Sequence, residues 1–210
     1  MTTEHLPAPV RVAGPADIDA LVATMTTAFF QDPLWGPVFP DAARRAEQAG
    51  AMWRLFLASS LRYPWTLVTE RVESAAVWIP PGGFELTHEE EEALERLLLD
   101  SVGRPGADEI LRIFEQLDAA RPDEPHHYLT LLGTHDDHRG KGLGMGLLAE
   151  SLARIDALGS PAYLESSNPA NDARYERAGF VARDRITVPS GHLVTTMWRP
   201  ARRPAPAARG

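Results

Sequence analysis

His138-Arg139-Gly140-Lys141-Gly142-Leu143-Gly144-Met145-Gly146 sets four glycines at alternate positions, directly ahead of the helical spacing Leu147, Leu148, Leu152 and Ile155. Tyr128 to Thr134, just before it, has the character of a strand, so the order is strand, bare turn, helix. A turn stripped of side chains lets backbone N–H groups approach an anion, with the positive end of a helix dipole behind them. Arg139 and Lys141 add positive charge here, in a chain whose formal net charge is -8.

Spacing separates three kinds of phosphate loop. A magnesium-nucleotide loop needs Ser or Thr after Gly-Lys, and Gly142 stands there. A dinucleotide fingerprint needs G-x-G-x-x-G, but counting from Gly140 or Gly142 the last position is Met145 or Leu147. What remains is Arg-x-x-Gly-x-Gly, from Arg139 to Gly144. Alone, such a turn could serve only to pack a helix on a sheet. A second ordered stretch lies downstream in Tyr163-Leu164-Glu165-Ser166-Ser167-Asn168-Pro169-Ala170-Asn171-Asp172-Ala173-Arg174-Tyr175-Glu176-Arg177-Ala178-Gly179-Phe180.

Together the two stretches resemble the GNAT (GCN5-related N-acetyltransferase) family. The first resembles its coenzyme A pyrophosphate loop, the second its fifth strand, Asn-bearing turn, Tyr-bearing helix and Gly-Phe approach to the next strand. The resemblance runs from Tyr128 to Trp198, about a third of the chain. The phrasing from Tyr163 to Pro169, with the ending Met197-Trp198-Arg199, resembles the branch of puromycin-type and small-molecule acetyltransferases. One departure is Asp136, where the family often has a proline three residues before the motif's Arg.

Composition agrees with this and excludes other classes. With 210 residues and 44% hydrophobic content, one good core is expected, and hence one domain over 1–199 with a disordered Pro-, Ala- and Arg-rich tail at 200–210. The acidic balance argues against a nucleic-acid platform. No apolar run reaches the length of a membrane span, and the first residues lack a signal peptide's charged and apolar regions, so a cytoplasmic protein is expected. The absence of cysteine removes disulfides, thiolate zinc sites and the easiest covalent acetyl carrier.

Along the chain, Val10 to Ala13 reads as a strand, and Pro15-Ala16-Asp17 opens a helix to about Phe30 that Asp32-Pro33 stops. A helix over about Ala42 to Arg62 carries Met52, Trp53, Leu55, Phe56 and Leu61, read as core. Thr66 to Glu70 and Ala75 to Ile79 form a hairpin closed by Pro80-Pro81-Gly82-Gly83. A helical insert follows at about 84–121. Thr87 and Glu90 have the form of a capping box, and a second helix from Ala107 to Ala119 starts after the break at Pro105-Gly106. Glu89 to Glu92 could form a lid recruiting a cation, but a solvated helix start is the expectation. Val181 to Val188 and His192 to Trp198 close the chain as a strand pair.

The resemblance implies an α/β domain: a mixed, mostly antiparallel twisted sheet with splayed fourth and fifth strands, helices on both faces, and the insert between the third and fourth strands. It implies acetyl-CoA as co-substrate and no metal. Amides of Gly140, Lys141, Gly142, Leu143, Gly144 and Met145 would take the pyrophosphate, with Arg139 starting the motif. Backbone groups at Leu132 and Thr134 would pair with the pantetheine arm, with Gly133 keeping that surface low. Tyr175 would protonate the departing thiolate, a role suited to a phenol that keeps its proton at neutral pH. Asn168 and Asn171 would hold the pantetheine arm, or cap the helix around Pro169, and for Asn168 both can hold together. Glu165 is the candidate base. Tyr128 stands where other members place a glutamate, and His126 and His127 are nearby alternatives. His135 and His138, like the His126-His127 pair, lack a third ligand at a recognisable spacing and read as polar strand-end residues.

The expected activity is direct transfer of an acetyl group to a primary amine of a small molecule in a ternary complex. Alternatives are a non-catalytic acyl-CoA sensor, a peptide or protein N-acetyltransferase, and a nucleotide-phosphate enzyme using the same loop. A homodimer is compatible with the sequence but not required by it.

Overall fold

The computed structural model describes residues 9–202. The tail expected at 200–210 therefore lies, from position 203 on, outside the described residues. Seven strands form one sheet in the order β1-β2-β3-β4-β5-β7-β6: β1 (Val10–Val12), β2 (Thr66–Thr69), β3 (Ser74–Ile79), β4 (His127–Thr134), β5 (Ala162–Ser166), β6 (Val181–Thr187) and β7 (Leu193–Arg199). Every neighbouring pair is antiparallel except β4 and β5.

Helices cover both faces. On one side α1 (Ile18–Phe29), α2 (Arg45–Ser60) and α3 (His88–Ala120) share a core with Val68, Ala75, Val77 and Leu131. On the other, α4 (Leu143–Ala157) buries Leu147, Leu148, Leu152 and Ile155 against Leu67, Ala76, Trp78 and Leu129. Alternation along each strand divides its residues between these two cores. A short α5 (Asp172–Arg177) precedes the last hairpin. The sheet's far end is fastened to α4 by Arg199, 2% exposed, which holds Asp156 through two bonds of 2.6 and 2.7 Å and the Ala178 carbonyl at 3.0 Å.

The insert departs from its sequence reading in one respect. The break falls at Gly103, with φ 71° and ψ 173°, rather than at Pro105-Gly106. Pro105 instead sits in the first turn of the second helical segment, where its missing N–H costs nothing. The Thr87 capping box is present: Thr87 Oγ1 accepts from Glu90 N at 3.2 Å and Glu90 Oε2 accepts from Thr87 N at 2.7 Å.

Two irregularities in β4 create the site. Its parallel register with β5 runs His127–Ala162, Tyr128–Tyr163 and Leu129–Leu164, then stops. At the same height the register with β3 jumps from Leu129–Trp78 to Leu131–Val77, so Thr130 is an extra residue and β4 bulges there. A bulge bends its strand and aims side chains anew. Beyond it, β4 from Thr130 to Thr134 has backbone facing away from β3 with no strand to pair.

Candidate active site

A cleft of about 1360 Å³ opens where β4 leaves β5. One end is walled by the glycine turn. Gly140 and Gly142 adopt left-handed backbone (φ 77° and 76°), which glycine allows without cost. Gly142 is the N-cap of α4 and no side chain caps it, so the first N–H groups of the helix remain open to a ligand. Gly144 serves contact instead: a Cβ there would lie 3.1 Å from Thr134 Oγ1, so its absence brings α4 close to β4.

The charges of the turn are arranged differently from the sequence expectation. Arg139 lines the cleft, with Nε 2.8 Å from Asp136 and Nη2 donating to the Ala28 carbonyl at 2.8 Å. Asp136, in the place of the family's proline, thus anchors the motif's arginine. Lys141 does not line the cleft. Its ammonium turns back to the Asp137 carbonyl (3.3 Å) and His138 Nδ1 (3.2 Å).

Leu132, Gly133 and Thr134 line the middle of the cleft, but the missing side chain of Gly133 faces elsewhere. A Cβ there would lie 2.7 Å from Met25 Sδ and 2.9 Å from Ala28 Cβ, so this glycine seats α1 on the sheet. Asn168 and Asn171 both line the cleft from the far side. Asn168 Oδ1 accepts from Ala170 N (3.1 Å), capping the turn that Pro169 begins, and Asn171 Oδ1 accepts from Arg174 (3.0 Å).

Tyr175, on α5, lines the same cleft, its ring edge-on to Phe180 at 6.2 Å. Burial, with the negative charges of Asp32 and Asp172, pushes its phenol up to about 12, so it holds its proton at neutral pH. Glu165 stands one residue past the last β4–β5 pair, on the strand face opposite α4. Burial raises its carboxyl to about 7, against the opposing pull of the Arg121 charge and the Tyr128 and Tyr163 hydroxyls. Oε1 is shut off from solvent without a hydrogen-bond partner. That leaves a lone pair free for an incoming donor.

His126 and His127 do not belong to this site. His127 packs on the Trp65 ring at 4.4 Å, and its Nδ1 meets Ser160 Oγ at 2.9 Å. Burial lowers its imidazole to about 4. His126 lies between Tyr163 and Trp198, with Nδ1 2.6 Å from the Glu124 carbonyl. Neither lines the cleft. Among the described residues no three His, Asp or Glu side chains converge as metal ligands.

Several functional-site residues are invisible to motif reading. Arg121, just past α3, lies 4.0 Å over the Tyr128 ring and donates to Glu85 Oε2 at 2.8 Å. Glu85 also accepts from Thr130 Oγ1, the bulged residue. The loop before the insert, the end of the insert and the point of splay are thereby locked together. Trp53 and Phe56, read from sequence as core, are also cleft wall, and Glu91 and Glu92 of the expected solvated turn line the cleft together with Glu95, one turn further on. Phe114 and Trp35 complete a ring cluster, with centroids 5.2 Å apart for that pair and 5.4 Å for Trp35 and Trp53. Only an insert folded back over α2 brings these positions together.

Residues 116–199 match the family model described as acetyltransferase (GNAT) domain. This stretch contains β4, the glycine turn, α4, β5, α5 and the last hairpin, which is to say the glycine-turn end of the cleft. Over this stretch the chain is similar to the GNAT acetyltransferase domain. Solved structures of similar fold include an HPA2-related acetyltransferase from Corynebacterium glutamicum, 22% identical, with a TM-score of 0.67 over 95% of this chain and 99% of that one. A mosquito arylalkylamine N-acetyltransferase-like protein is 12% identical, with a TM-score of 0.65 over 91% and 99%. An agmatine N-acetyltransferase is 16% identical, with a TM-score of 0.59 over 90% and 97%. No helix among the described residues is long and apolar enough to cross a membrane.

Proposed function

We propose that the protein transfers the acetyl group of acetyl-CoA directly to a primary amine of a small molecule. The observation that carries this is the opening of β4 from β5 just past Leu129–Leu164, with an uncapped glycine-framed helix start at one end and the unpartnered Glu165 carboxylate oxygen beside it. The amides from Gly140 to Met145 take the pyrophosphate, beside Arg139. The unpaired β4 backbone at Leu132 and Thr134 supplies the bonds a strand would otherwise make, satisfying groups that each cost about 1–3 kcal/mol if buried alone.

An alkylammonium must lose a proton before it attacks, and Glu165 in its ionised form accepts it. The amine nitrogen then forms a bond to the thioester carbonyl carbon, and the carbon–sulfur bond breaks. Tyr175 gives its proton to the leaving thiolate, and the second proton that the nitrogen sheds as the amide forms restores the phenol. Titration near neutrality suits Glu165 to this work, and a phenol held neutral suits Tyr175. The names of the arylalkylamine and agmatine neighbours support an amine acceptor.

The test measures CoA release and acetylated product over a panel of amines, antibiotics and peptide N-termini, for the parent and for Tyr175→Phe. The variant is expected to lose about 10²- to 10⁴-fold in turnover, with acetyl-CoA affinity by calorimetry nearly unchanged. Equal turnover in both proteins removes Tyr175 as the acid.

A further inference from the structure

We infer that the acceptor is a cationic monoamine with an aromatic or branched apolar body and no carboxylate, an inference that rests on the acetyl-transfer reading above. Three features of the acceptor wall carry it.

The first is its floor. Trp35, Trp53, Phe56 and Phe114, from the loop after α1, from α2 and from α3, all line the cleft, and their rings contact one another at 5.1 to 5.4 Å. Trp35, Trp53 and Phe56 are 7%, 2% and 7% exposed, so little of this surface is offered to bulk water. An apolar body placed here gains burial at almost no cost in new ordering.

The second is the sign of the charge. Glu91, Glu92 and Glu95 on the first half of α3 and Glu115 and Asp118 on the second all line the cleft. Arg121 is the one Arg or Lys on this wall among the described residues, the others lining the cleft being Arg139 beside the glycine turn and Arg174 on α5. Arg121 is already engaged by Glu85 at 2.8 Å and Asp118 at 3.4 Å. A ligand carboxylate would meet repulsion at the mouth and, inside, a guanidinium already paired to two carboxylates, with its buried Nε unpartnered.

The third is the number of free carboxylates at depth. Glu85 is taken by Arg121 and Thr130. Asp32 accepts from the Leu34 and Trp35 amides at 2.9 and 3.1 Å and from the Ser167 hydroxyl at 2.8 Å. Among the described residues two carboxylates keep a buried oxygen without a partner, Glu165 and Asp172, and of these only Glu165 lines the cleft, where the reacting amine uses it. A second ammonium would have only the α3 carboxylates at the mouth to receive it, where solvent screens the attraction, so a linear diamine gains less on this wall than an apolar body gains over the rings.

The experiment compares kcat/KM for phenethylamine, phenylalanine and putrescine with the parent enzyme. Phenethylamine is expected to exceed putrescine by about 10-fold and phenylalanine by about 100-fold. Phe114→Ala should lower kcat/KM for phenethylamine about 10-fold while putrescine changes little, and Phe114→Leu should recover part of the loss. Calorimetry with CoA shows that each variant retains its cofactor site. Preference for putrescine or phenylalanine, or equal losses on all amines in Phe114→Ala, overturns the acceptor class while acetyl transfer stands. No acetylation of any amine by a CoA-binding protein overturns both.

Discussion

The two ends of the cleft are made of different material. The end proposed to hold the cofactor is backbone: left-handed glycines, the uncapped start of α4, and a stretch of β4 without a neighbour. The acceptor end is side chains: tryptophans, phenylalanines and carboxylates brought in by α2 and the insert. Backbone N–H groups recognise phosphate whatever surrounds them, so one short pattern can specify them. A pocket of side chains can change residue by residue while the sheet stays as it is, which is how one fold takes many acceptors.

This contrast can be broken by experiment, and the largest effect is expected at the seam between the two ends. Glu165→Gln keeps the size and an acceptor oxygen but removes the base. The parent's rate should climb through about pH 7 as the carboxyl ionises. The variant should be slower by about 10²-fold at pH 6 and recover toward high pH as the free amine becomes abundant. Matching pH profiles would remove Glu165 from the mechanism.

A smaller loss is expected at the backbone end, and in a different quantity. A Cβ on Gly142 would touch nothing within 4 Å, so crowding within the free protein is not the issue; its φ of 76° is. For valine that conformation costs on the order of 1–3 kcal/mol, which the turn avoids by relaxing out of its anion-binding shape. Gly142→Val should therefore weaken CoA binding about 10- to 100-fold in calorimetry, with thermal unfolding still cooperative. Undiminished affinity would mean the pyrophosphate lies elsewhere.

The smallest effect is expected away from the cleft and bears on stability alone. Asp17, at the start of the helix after β1, accepts from both Arg11 guanidinium nitrogens at 2.7 Å and from Gly14 N at 2.8 Å, which holds its carboxyl down to about 2. A carboxyl lowered by folding stabilises above its unfolded value near 4 and loses that contribution as the pH falls through about 2. Asp17→Asn should cost about 1 kcal/mol at pH 7 in chemical denaturation, and the difference from the parent should vanish near pH 2. Turnover should not change. A variant as stable as the parent at pH 7 would show that solvent screens the pair fully.

The same contrast explains what the sequence made legible. Sequence pattern located the long helices and every strand but β5, which came from the resemblance, and α4 and the central strands bury continuous faces. The Gly103 break was missed because Pro105-Gly106 nearby is the stronger breaker on paper, whereas a proline in a helix's first turn breaks nothing. Glycine spacing located the turn proposed to take the pyrophosphate, but not that Lys141 turns back from the cleft, since a flexible lysine follows the nearest carbonyl. Glu165 could be singled out by its place at a strand end. Glu85, Arg121 and Thr130 could not, because residues far apart in the chain meet only after the insert has folded and β4 has bulged.

The margins of the open sheet bear on how the molecule behaves at high concentration. One margin is β1, only three residues long. The other is β6, almost wholly exposed, which carries the consecutive charges Arg183, Asp184 and Arg185 and slips register with β7 between Ala182 and Asp184. An edge this short, or this charged and irregular, is a poor template for a further strand from another molecule. The sheet can thus remain open on both sides without inviting runaway edge-to-edge pairing.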